Sequence, residues 1–156
     1  MSQRISVDTP LAEITLRKYE PPTAQTSRRG LVRRLCLSLG LLQPGDSRDV
    51  IVDVLQVVLE SPEELTSTMV EKLVIEKRQK EKLPLLGVAP SNIRRQLLRL
   101  RDLFIVEKVK NKYRIRENSK LLAIFEENVE QYFLDGIVNR VKDYLRAVDE
   151  TFLKNQ

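Results

Sequence analysis

The chain has 156 residues, 42% apolar and 31% charged, with a net charge of +5, a single cysteine and no histidine or tryptophan. This composition predicts one compact, mainly helical core with an accessory element and excludes wholesale disorder. The lone Cys36 excludes an internal disulfide, and without histidine imidazole catalysis and the common transition-metal sites lack their residues, so no metal or other cofactor is expected.

Residues 1–24 read as an N-terminal arm or short strands. Ile5 and Val7, then Ile14 and Leu16, alternate with polar neighbours, while Pro10, Pro21 and Pro22 interrupt; Asp8-Thr9-Pro10 alternatively caps one helical turn. Ser27 is placed to cap a helix running to about Leu39, with Leu31, Leu35 and Leu39 on one face and Gly40 as its stop. Its other face, Arg28, Arg29, Arg33 and Arg34, reads as solvated rather than phosphate-binding, and Cys36 as a packed thiol.

After the turn Gln43-Pro44-Gly45, Asp46 and Asp49 mark the start of a helix from Ser47 to about Glu60, whose broad stripe of Val50, Ile51, Val54, Leu55, Val57 and Val58 predicts a central position. A further helix, with capping-box spacing between Thr68 and Glu71, buries Val70, Leu73 and Val74 and ends in a charged run, Lys77 to Lys82, read as solvent-facing. Leu83 to Pro90 holds two prolines and a glycine and forms a connector. Pro90 then opens a helix over about 90–102 with Ile93, Leu97, Leu100 and Phe104 turned to the core.

The period next shortens to two: Phe104, Val106 and Lys108, then Tyr113 and Ile115, flank Lys110-Asn111-Lys112, predicting a β-hairpin over 104–116. From Asn118 the helical period returns in Leu122, Phe125, Val129, Phe133, Ile137, Val141, Leu145, Val148 and Phe152, with Gly136 placed to bend or divide the helix. So long a stripe exceeds what a body of this size can cover, so Phe133, Ile137, Val141, Leu145 and Val148 are assigned to a homodimer contact within a C-terminal element, 118–156.

Charge is concentrated in one place. Residues 90–116 carry nine basic and two acidic groups, whereas 1–89 are nearly neutral and 117–156 are acidic. Helix, helix, connector, helix and hairpin is the order of a winged helix-turn-helix, here spanning 25–117, and the basic segment is its third helix and wing. Such a helix fits the major groove of a DNA duplex, roughly 12 Å wide. Ser91, Asn92, Arg94 and Arg95 are therefore assigned to base edges, and Arg99, Arg101, Lys110, Lys112 and Arg114 to the phosphate-facing remainder of the basic surface.

The stretch APSNIRRQLLRLRDLFIVEKVKNKYRIRE, Ala89 to Glu117, resembles the recognition helix and wing of archaeal winged-helix predicted transcriptional regulators. SLGLLQPGDSRDVIVDVL, Ser38 to Leu55, resembles the same family. The resemblance implies dimeric, site-specific binding of double-stranded DNA in an archaeal cytoplasm; the connector from Lys80 to Pro90 is longer than the compact pattern. Two other readings compete: a winged-helix protein-interaction module using the C-terminal stripe, and a nonspecific nucleic-acid-binding protein. The latter has only Phe104 and Tyr113 in the basic segment for stacking bases. No enzyme is expected, because the adjacent carboxylates Glu63-Glu64 and Glu126-Glu127 have no nucleophile or phosphate loop beside them. No apolar run reaches the roughly 20 residues of a membrane span, and Arg4, Asp8 and Glu13 interrupt any signal-peptide core, so no membrane partner and a cytoplasmic location are expected. A small-molecule effector leaves no trace in one sequence, and none is assigned.

Overall fold

A computed structural model describes residues 7–153; Ile5, assigned above to a first alternation, lies outside them. Val7 and Asp8 are helical, so Val7 is not the strand residue its alternation suggested; no helical turn follows Pro10, and residues 12–23 form neither helix nor strand but an arm. Arg17 pins it to the body: its N–H donates to the Ser38 carbonyl at 2.9 Å, and its guanidinium to those of Leu37 (2.8 Å) and Leu42 (3.1 Å).

Helix α1 (Arg28–Ser38) begins as predicted, the Ser27 hydroxyl accepting from the Gly30 N–H. At its end the Leu41 and Gly40 N–H groups turn back to the carbonyls of Cys36 and Leu37, with Gly40 left-handed at φ +73°. A Cβ there would stand 2.7 Å from that of Thr15, so the arm's passage also demands glycine. Its buried residues are Cys36 and Leu37, whereas Leu31, expected on the apolar face, is exposed.

Helix α2 (Val50–Glu60) starts three residues later than Ser47, because the Asp46 carboxylate takes the Arg48 N–H and closes a turn. All residues from Val50 to Val58 are buried, and α2 packs on α1, on α3 (Ser67–Lys80) and on α4 (Pro90–Asp102), the central position its stripe predicted. Helix α3 is capped by Thr66, not Thr68. Apolar side chains of α1, α2, α3 and α4, with Leu41, Leu42, Leu65, Ile105, Val106 and Tyr113, form one core, and α2 contributes most of them.

Helix α4 ends in a motif like that of α1: the Ile105 and Phe104 N–H groups return to Leu100 and Arg101, which puts Phe104 in the left-handed region at φ +65°. Phe104 is therefore a helix cap and not, as its alternation suggested, a strand residue. Strands β1 (Val106–Val109) and β2 (Lys112–Ile115) pair antiparallel, Val106 opposite Ile115 and Val109 opposite Lys112. Lys110 and Asn111 both have positive φ, the turn whose twist suits a two-residue hairpin, so the link is one residue shorter than expected. Leu65 pairs with Tyr113 through two backbone hydrogen bonds, which fastens the hairpin to the α2–α3 link.

The C-terminal helix starts as α5 (Leu121–Ile124), winds with π-helical hydrogen bonds over Phe125–Leu134 and continues as α6 (Asp135–Phe152). The wider turn moves the stripe: Ile124 and Val129, five apart, are buried, and Leu122 is exposed. Backbone dihedrals remain helical at Leu134 and Asp135 and the helix runs on through Gly136, so Gly136 does not divide it. Among the described residues no helix is long and apolar enough to cross a membrane.

Candidate nucleic-acid interface

Helix α4 has two faces of different chemistry. Ile93, Gln96, Leu97 and Leu100 are buried, and opposite them Ser91, Arg94, Arg95, Leu98, Arg101 and Asp102 are exposed. Leu98, half exposed at 51%, lies among the arginines; its sequence position is filled by a core-type residue, which hid it from the periodicity argument. Of the base-edge candidates, Ser91, Arg94 and Arg95 stand free on this face. Asn92 does not.

Asn92 belongs to a hydrogen-bonded ladder along the inner flank. Its amide donates to the Gly87 carbonyl at 2.7 Å, and its side-chain oxygen accepts from the Gln96 amide at 3.0 Å. Gln96 accepts from Arg99 at 2.8 Å, and Arg99 also donates to the Leu41 carbonyl at 2.6 Å. Burial, and then the neighbouring charge of Arg95, lower the pKa of Arg99. The assignment of Arg99 to the outer basic surface is thus corrected: it is half-buried and its guanidinium is bonded to the body. The connector supplies the other end of the ladder with Gly87, at φ +77°, where a Cβ would approach the Asn92 amide nitrogen to 3.0 Å.

On the hairpin, Lys108, Lys110 and Lys112 are exposed, Lys108 lying 5.6 Å above the Tyr113 ring. Arg114 is not part of that free charge: it donates to Glu107 at 2.6 Å and lies 3.4 Å from Glu64. Glu107 also accepts from the Glu117 N–H, and this bond, against the smaller opposing effect of burial and with the help of Arg114, holds its carboxyl below the usual range. Arg116 stacks 5.8 Å from the Phe104 ring. The segment's excess therefore reaches solvent through Arg94, Arg95, Arg101, Lys108, Lys110 and Lys112, and α4 packs directly against β1.

Behind α4 lies a buried ionic cluster that periodicity missed. The fully buried Asp53 carboxylate of α2 accepts from Lys77 at 2.7 Å, from Arg29 at 3.0 Å and from Arg78. Arg29 and Arg78 also reach Asp49, at 3.0 and 3.3 Å, and Arg78 donates to the Pro84 carbonyl of the connector at 2.8 Å. Burial alone would raise the Asp53 carboxyl; hydrogen bonds from Arg29 and Lys77, the Arg29 charge and then Arg78 outweigh it and hold the group low. Arg29, Lys77 and Arg78 are thus not solvated, as the charge runs suggested. The one available signal was Asp53 itself, an acid inside VIVDVLQVVL. Burial pushes the nearby Cys36 thiol up to about 12, which makes it inert packing.

The residues assigned to a dimer contact divide into two groups. Phe133 packs edge-on against Phe104, ring centroids 6.3 Å apart, and Ile137 is half-buried. Val141, Leu145 and Val148 are exposed together with Val138, Tyr144 and Phe152, and no residue of α6 is buried. Val138, Val141, Leu145, Val148 and Phe152 follow spacings of three and four in turn, the repeat of a coiled-coil seam. Comparison with family models, with curated proteins and with solved structures yields no match to this chain.

Proposed function

We propose that this chain is a winged-helix protein that binds double-stranded DNA as a homodimer and regulates transcription without catalysis. One observation carries the reading: the free arginines of α4 stand around an exposed leucine on a helix whose opposite face is locked into the core, and the hairpin beside it carries three exposed lysines. Helix α2, the Leu65 bridge, α3, α4 and the hairpin follow the order of a winged helix-turn-helix, with α4 as the reading helix and 104–116 as the wing. Arg94 and Arg95 then address guanine edges as forked donors, and Leu98 a thymine methyl; Arg101 and the wing lysines meet phosphate. The coiled-coil repeat of α6 supplies the second subunit, and two-fold pairing predicts a palindromic site with half-sites one turn, about 34 Å, apart.

The test is selection of duplexes from a random pool, followed by fluorescence polarisation on the selected and scrambled sequences. The expected result is tight binding to a palindrome that weakens steeply with salt, with Arg95→Ala reducing the preference for the selected site by about 1–3 kcal/mol. Equal affinity for every sequence would reduce the reading to nonspecific binding, and no salt-dependent binding at all would remove DNA from it and leave the protein-interaction module.

A further inference from the structure

Between the arm, α1, the α4–β1 turn and the start of the C-terminal helix lies a cavity of about 490 Å³. Leu16, Leu39, Leu103, Leu122, Phe125 and Val129 are among its walls. Its polar members, Arg17 and Ser38, are both bonded to the body: the Arg17 guanidinium to the carbonyls of Leu37 and Leu42 and to Gln43, the Ser38 hydroxyl to the Arg34 carbonyl at 2.8 Å.

Backbone contacts hold the walls apart, so this is not a gap that rotamer changes close. The arm is fixed by the bond from the Arg17 N–H to the Ser38 carbonyl, and the α4–β1 turn by its bonds to Leu100 and from Arg116. The helix wall is tethered by Phe133 on Phe104 and includes the π-helical stretch that carries Phe125 and Val129. Water gains little here, since a buried water needs two to four polar partners and most of these walls are apolar side chains. The volume lies within the range of small-molecule sites, about 300–1,000 Å³.

We infer that the cavity is a binding site for one compact, largely apolar small molecule, entering past the exposed Leu122 at its mouth. The inference stands apart from DNA binding: it concerns the joint between the body and the C-terminal helix, and its test contains no nucleic acid.

The probe is N-phenyl-1-naphthylamine, a neutral apolar fluorophore, titrated into the full chain. Saturable enhancement with one site per chain is expected, at least tenfold weaker in Leu122→Glu, which puts a charge at the mouth on an exposed helix position, and in Leu39→Trp, which fills the cavity. Circular dichroism establishes that both variants are folded, and Leu122→Glu, the less intrusive, decides if Leu39→Trp is not. Tyr144→Glu, exposed on α6 but outside its three-four repeat, should leave the titration unchanged. Absence of saturable binding overturns the inference, and so does loss of binding in Tyr144→Glu with retention in Leu122→Glu, which would move the probe to the projecting helix.

Discussion

Asp53→Ala removes the acid on which three cations of two neighbouring helices converge. Arg78, almost fully buried, would keep Asp49 at 3.3 Å and the Pro84 carbonyl but lose its closest partner, and Lys77 would keep only the more exposed Glu81. Removing one partner of a buried ion pair costs about 3–5 kcal/mol, because the remaining charges stay desolvated. A value near 4 kcal/mol raises the unfolding constant by about a thousandfold and takes much of the roughly 5–15 kcal/mol that a domain possesses. Urea unfolding at neutral pH, followed by circular dichroism, measures it.

Acidity gives an independent check with a defined sign. The Asp53 pKa is lowered in the folded protein, so its stabilisation is fully present above the unfolded value, about 3.9, and disappears as pH falls through the folded value. Wild-type stability should therefore fall below about pH 4 with a component that Asp53→Asn lacks. A loss under about 1 kcal/mol in Asp53→Ala, set against the 3–5 expected, or the same acid profile in Asp53→Asn, would refute the view that this cluster fastens α1, α2 and α3 together.

Three further outcomes are expected. Replacing Lys110 and Lys112 with alanine should lower the slope of log affinity against log salt by about 1.8 per chain, from about 0.9 per phosphate contact, with little change in sequence preference; polarisation at several salt concentrations reads it, and an unchanged slope rejects a phosphate role for the wing tip. Leu145→Asp should convert a dimer to a folded monomer in sedimentation equilibrium, and a dimer that persists would place the seam elsewhere. Gly136→Ala, with open space around the site and a helical backbone, should stabilise the protein by about 0.5–1 kcal/mol, whereas Gly87→Ala, at positive φ and against Asn92, should destabilise it; thermal melts distinguish the two signs.

Local signals were legible wherever a residue's role is decided by its neighbours in sequence. The Ser27 cap, the Gly40 stop, Pro90 at the start of α4 and the alternation around Tyr113 each name a backbone conformation, and each element lies within a few residues of its predicted place. Long-range pairing was not legible. Arg29 and Lys77 look like solvated charges beside their sequence neighbours, and only the packing of α1 and α3 on either side of α2 brings them to Asp53. The same limit applies to the C-terminal helix, where the π-helical turn moved Leu122 outward and Ile124 inward without any Gly or Pro to mark it.

Asn92 and Arg99 carry the strongest consequence for the candidate interface. A helix held by apolar residues alone can rotate by a fraction of a turn as its core repacks, since dispersion and burial are not directional. Hydrogen bonds are directional, and here Asn92, Gln96 and Arg99 tie one flank of α4 to Gly87 on one side and Leu41 on the other. Gly87 sits in the connector that Arg78 grips through Pro84, so the buried acid of α2 is linked through Arg78 and the connector to the rotation of α4. The outward direction of Arg94, Arg95, Leu98 and Arg101 is the geometric complement of that fixed flank. Under the DNA-binding reading, the two residues that gave up their own contact with the duplex are what presents the others to it as a rigid set, which lowers the ordering entropy that binding must overcome.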